Sequence, residues 1–263
     1  MDHHAPRLAE KMSSEEAKEY LARVNTKVMR RWEERVTHSD FMKQLTGGKL
    51  PVSVIRLFFQ NWGAFTIEIN TLIAASYHKH LGFFKRHTDL LGPFGAKVAD
   101  EFMHPKPPGH VLVMLQTAKA LGLTEDQVLR KPMLAEARAV LDFKRGLLWE
   151  GTVAEWWFSM LTEEPIGHWA AAWYRALTTQ YGFSREQAVY FSTHEEADLK
   201  EHADGVMGHG SFNRAVMERI LQDGYADVRE GYDLEYCALT AVDLYGVMHR
   251  GVYEHGMAEE KKK

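Results

Sequence analysis

Cysteine is almost missing from this chain: Cys237 stands alone among 263 residues. A single thiol excludes an internal disulfide framework and any thiolate metal cluster, so a bound metal would have to be held by His, Asp and Glu. It also fits a reducing compartment, and the cytoplasm is the expected location. In its apolar-patterned segment Cys237 reads as a small buried hydrophobe rather than a nucleophile. An excess of positive charge is missing too, since 32 Lys and Arg stand against 36 Asp and Glu, with a net charge of −4 and a pI near 6.4. That balance offers no footprint to nucleic acid or an anionic membrane, and the one basic run, Lys261 to Lys263, lies at a terminus. No apolar run approaches the ~20 residues of a membrane span, and the opening residues lack the basic-then-apolar order of a secretory leader. Alternating strand patterns, internal repeats and low-complexity linkers are absent as well.

What the chain does have is helical periodicity. Ser13 to Glu16 carries a capping signature, and Tyr20, Leu21, Val24, Val28 and Met29 then recur at helical spacing to about Val36. Gly47 and Gly48 before Pro51 mark a stop and a new start. The segment from Val52 to about Leu81 is apolar nearly all round, as befits a helix at the centre of a bundle. Gly122 reads as a C-cap, Pro132 as an interruption, and Pro165 with Gly167 as a break or kink in the middle of the aromatic-rich stretch from Trp149 to Tyr181. The expectation is an all-α, single-domain helical bundle of about eight helices over residues 1–263, with 1–12 and 257–263 as frayed tails.

Several polar residues fall where these helices should be apolar. Along the stretch from Tyr190 to Gly205, His194, Asp198 and His202 lie at 0°, about 40° and about 80° around a helix, with Glu201 close by at about −20°. Two imidazoles and a carboxylate on one face make a metal-binding pattern, although a solvated charged face has the same spacing. Glu101 approaches His104 and His110 across a loop that holds three prolines. Glu163 and Glu164 precede the Pro165 kink, and Glu68 sits inside the apolar Val52 helix, where it needs a partner. His78, His80 and His87 are expected to face solvent. Oxygen and nitrogen ligands without thiolate suit iron, manganese or zinc, and helical bundles assemble dinuclear iron or manganese sites from Glu, Asp and His on several helices. Glu101, His110, one of Glu163 and Glu164, His194, Asp198 and His202 would make six ligands. The paired Glu-x-x-His motifs of ferritin-like proteins are not present.

Three stretches carry a resemblance to the haem-oxygenase-like diiron oxidases and oxygenases, relatives of the TenA/PqqC helical fold. Leu45 to Trp62, LTGGKLPVSVIRLFFQNW, is similar to an early Gly, Leu, Phe and Gln segment of that fold. Glu101, then His110 and a helix ending in Leu121-Gly122-Leu123, resembles its metal-binding Glu, loop and His. Tyr181-Gly182 through His194 to Asp198 resembles its Tyr-Gly segment followed by a His, Asp and His helix. Together they cover roughly Phe41 to Gly205. In the family the last ligand follows the Asp by three residues, which here is Glu201, with His202 one position later. Glu201 or His202, Glu163 or Glu164, and His104 or His110 therefore stay open as pairs.

The resemblance implies two Fe(II) ions per subunit and O₂, with no catalytic group beyond the metal ligands. It also implies a small organic substrate (an amino acid, an amine or a fatty-acid-like molecule) in an aromatic pocket, and a homodimer. Phe58, Trp62, Phe65, Glu68 and Trp157 are the candidate pocket residues. Two alternatives remain. One is a metal-free enzyme of the same fold, either a cofactorless oxidase or a thiamin-type hydrolase with Cys237 as its candidate nucleophile. The other is a non-catalytic helical binding protein.

Overall fold

The computed structural model describes residues 11–103, 109–199, 207–224 and 233–263, apart from the side chains of 196–199. In chain order the α-helices are α1 (Ser14–Trp32), α2 (Asp40–Thr46), α3 (Val52–Lys79), α4 (Leu81–Arg86), α5 (Leu91–Met103), α6 (Gly109–Ala120) and α7 (Glu125–Leu129). They continue as α8 (Ala135–Trp149), α9 (Val153–Ser159), α10 (Glu163–Gln180), α11 (Val189–Leu199), α12 (His209–Asp223) and α13 (Leu234–Glu260). No strand occurs among the described residues. None of the described helices is long and apolar enough to cross a membrane.

Local chemistry accounts for most of these boundaries. Ser13 accepts from the Glu16 N–H while the Glu16 side chain accepts from the Ser13 N–H, a capping box that opens α1. Thr124 and Gln127 do the same for α7. Gly122, at φ 77°, ends α6 with its N–H on the Lys119 carbonyl and the Leu123 N–H on that of Ala118. The aromatic-rich stretch is broken in its middle, as expected, but not at Pro165 itself. The break lies earlier, at a 3₁₀ turn over Met160–Thr162, and Pro165 occupies the first turn of α10. An N–H there has no helical acceptor, so its loss costs nothing.

The long helices α3 and α13 pack together at the centre, and α13 also meets α1, α8 and α9. A core of rings joins α2, α3, α10, α11 and α13. Phe58 lies 4.6 Å from Trp173, Trp173 stacks on Phe191 at 4.9 Å, and Phe41 meets His249 edge-on. The C-terminal end is not frayed as expected. Met257 packs against the core, and the Ser53 hydroxyl donates to Glu260. At the other end the Met12 N–H donates to the Leu221 carbonyl. His80 and His87, expected in solvent, are buried instead: His87 meets Asp223 at 2.6 Å, and burial pushes the His80 imidazole down to about 4.

Candidate metal centre

Glu101 arrives from the last turn of α5 and His110 from the first turn of α6. What brings them together is Gly109, at φ 80°. A Cβ there would stand 2.4 Å from the Phe102 carbonyl carbon, so α6 can begin against the end of α5 only with glycine at this point. His110 Nδ1–H then donates to Glu101 Oε2 at 2.9 Å. The third member, His194, comes from α11, which packs against α6 and α10. Its Nδ1–H donates to the Tyr190 carbonyl at 3.1 Å, and its ring lies 4.2 Å from that of His110.

Ligand atoms of Glu101, His110 and His194 all fall within 4.8 Å of one another, and all three residues are buried. It is the one such group of His, Cys, Asp or Glu found among the described residues. With both Nδ1 atoms donating, each imidazole keeps its Nε2 lone pair, and His110 Nε2 is buried with no hydrogen-bond partner. Burial, then the neighbouring His110, pushes His194 down to about 3, so it stays neutral. Burial opposes the Glu101 charge, but the hydrogen bond from His110 and the fields of His110, His209 and His194 together outweigh it and hold the carboxyl well below the usual carboxylate range. A carboxylate and two imidazoles, one with an orphaned buried nitrogen, fit a divalent iron ion.

Residues that the sequence reading passed over complete the surroundings. His209, at the start of α12, sets its Nδ1 3.7 Å from Glu101 Oε1 and its Nε2 3.3 Å from Asp100 Oδ2. Lys97, one turn before Glu101, pairs with Glu163. Lys144 donates to the Ser159 carbonyl at 2.7 Å and to Thr162 Oγ1 at 3.3 Å, and burial pulls its ammonium down to about 7 against the pull of Glu163. Their sequence signal was a lysine within an apolar stripe: Lys97 shares a face with Phe94 and Glu101, and Lys144 with Val140, Leu141 and Leu148. His209, between two glycines, carried no such signal.

Of the alternatives, Glu163 reaches a narrow cavity of about 50 Å³ that Glu101 and His194 also line. Glu164, about 100° further round the helix, points away and takes hydrogen bonds from Arg214 and Asn25. Its place among the ligands is corrected accordingly. Trp62 and Phe65 line the cavity with Thr66, Ile69, Asn70 and Tyr245, whereas the other candidate pocket residues do not. Phe58 is spent in the ring core, Trp157 packs on Phe84, Phe94 and Phe212, and Glu68 pairs with Arg138 at 2.8 Å and Arg145 at 2.5 Å. A carboxylate inside an apolar helix found its partners on α8 rather than in the pocket. His104, Glu201 and His202, and the side chain of Asp198, lie outside the described residues.

Residues 94–236 match the family described as iron-containing redox enzyme. No curated protein matches the chain in sequence. Among solved structures, a domain of unknown function with a haem-oxygenase-like fold from Shewanella denitrificans superposes with a TM-score of 0.68 at 14% identity, over 91% of this chain and 94% of that one. A TenA homologue from Pseudomonas syringae pv. tomato gives 0.62 at 12% identity, over 95% and 100%. A TenA family transcription regulator from Silicibacter gives 0.55 at 16% identity, over 90% and 95%. Identities this low speak for the fold alone.

Proposed function

Because the chain belongs to the iron-containing redox enzyme family and has the haem-oxygenase-like fold, we propose that it is an O₂-dependent non-haem iron oxidase or oxygenase acting on a small organic substrate. The buried convergence of Glu101, His110 and His194 carries this reading. Those three would hold the first Fe(II). Glu163 from the cavity wall, with Asp198 and either Glu201 or His202 from the sequence pattern, would serve a second. Iron held there supplies one-electron chemistry toward O₂.

The rest falls to the chain's own residues. The Tyr190 carbonyl fixes the His194 ring, and the Tyr190 hydroxyl is itself fixed by the Trp62 indole N–H at 2.6 Å. Phe65, Ile69, Ile73 and Ile166 line the cavity with apolar surface that keeps bulk water from the ligands. A thiamin-type hydrolase would need a cysteine facing this space, and Cys237 is buried on α13 outside the cavity lining.

The test is iron analysis of protein loaded anaerobically with Fe(II), followed by exposure to O₂. Stoichiometric iron, an absorbance change on oxygenation and loss of both in His194→Ala are expected. Equal iron in wild type and variant, or none in either, would sink the reading.

A further inference from the structure

Lys97 lies on α5 one turn before Glu101, on the same face, and its side chain is 1% exposed. Its hydrogen-bond partner is the Glu163 carboxylate at the start of α10. Glu163 in turn lines the cavity together with Glu101 and His194. The carboxylate that stands where a second ion would need it is therefore already taken by a cation belonging to the chain. An ammonium buried in this way costs several kcal/mol in desolvation unless it is paired, and so does a carboxylate. Each group thus needs the other as long as no external cation is present. Lys144 adds to the same field, since its ammonium interacts with both Glu163 and Lys97.

We propose that Lys97 is a built-in counter-cation that holds Glu163 in the absence of a second metal ion, and that a second ion enters only by displacing Lys97 from this carboxylate. This rests on the reading of Glu101, His110 and His194 as a metal site. An oxygen that accepts from an ammonium has its lone pair engaged, and two cations at one carboxylate repel each other in a medium that screens poorly. Loading is therefore sequential. The three buried ligands, whose carboxylate carries no lysine partner among the described residues, take the first ion, and the second competes with an internal charge at effectively fixed concentration. Lys97 acts as a positioning residue for Glu163 and sets the ratio of the two affinities.

The experiment is a titration of the purified full-length chain with Mn(II), with free Mn(II) counted by electron paramagnetic resonance. Wild type should bind one ion per chain and then a second at least tenfold more weakly. In Lys97→Met the second step should tighten at least tenfold with the first unchanged. Lys97→Arg, which keeps the cation, should behave as wild type, and Lys97→Met with Glu163→Gln should lose the gain. Circular dichroism checks the fold of each variant, and Glu163→Gln alone gives a second route: it should abolish the weaker step and spare the tighter one. A folded Lys97→Met with a wild-type second step, or a Glu163→Gln protein that keeps both steps, overturns the proposal. No Mn(II) bound by wild type removes the metal site itself, and this inference with it.

Discussion

His249 has both ring nitrogens committed inside the aromatic core. Its Nδ1–H donates to the Tyr245 carbonyl at 2.8 Å, and its Nε2 accepts from the Trp169 indole at 3.0 Å. A proton on Nε2 would set two N–H groups against each other, and burial pushes the imidazole from 6.5 down to about 4. The unfolded chain then binds a proton that the folded chain refuses. The stabilising share of His249 is complete above about pH 6.5 and is lost as the pH falls toward 4, and the interval corresponds to roughly 3 kcal/mol. Urea unfolding measured from pH 7 to 4 should show stability falling with pH, and His249→Gln should flatten that fall in part. His80, also pushed down to about 4, keeps a share of the slope in the variant. A slope unchanged by the substitution would contradict this assignment.

At the scale of elements, the junction between α5 and α6 decides whether a site exists. Glu101 and His110 are nine residues apart, and the helix start at Gly109 turns that separation into a 2.9 Å hydrogen bond. Gly109→Ala meets two obstacles, a positive φ and a Cβ 2.4 Å from the Phe102 backbone. It should cost roughly 2–4 kcal/mol of stability and weaken Mn(II) binding well beyond tenfold, because the helix must shift away from Glu101. Chemical denaturation and metal titration of the same variant would check both. Wild-type affinity in that variant would mean that the junction does not set the ligand geometry. Of the open pair His104 and His110, His110 stands in the first turn of α6, the helix that the Gly122 cap ends, and it meets Glu101. Proline breaks or kinks a helix interior, but position within the helix decides the matter, and Pro165 lies in the first turn.

Over the whole molecule, the three buried candidate ligands come from α5, α6 and α11, so an ion bound among them would tie together segments nearly a hundred residues apart. Such an ion binds the folded chain alone. Mn(II) at about a hundredfold over its dissociation constant should add roughly 3 kcal/mol and raise the melting temperature by about 5–10 °C, and His110→Ala should lose that rise. Differential scanning calorimetry with and without Mn(II) would measure it, and an equal rise in both proteins would place the ion elsewhere. The all-α class, the start of α1 at Ser13, the central α3 and the pairing of Glu101 and His110 with His194 were all legible in the sequence. The first three follow from periodicity and capping chemistry, and the grouping of Glu101 and His110 with His194 from the resemblance to the haem-oxygenase-like family. Tertiary structure alone decided that Glu163 faces the cavity and Glu164 meets Arg214, that Glu68 pairs with α8, and that Lys97 and His209 stand beside Glu101. Local sequence determines which face of a helix a residue occupies, whereas its partner depends on which helix the packing sets opposite that face.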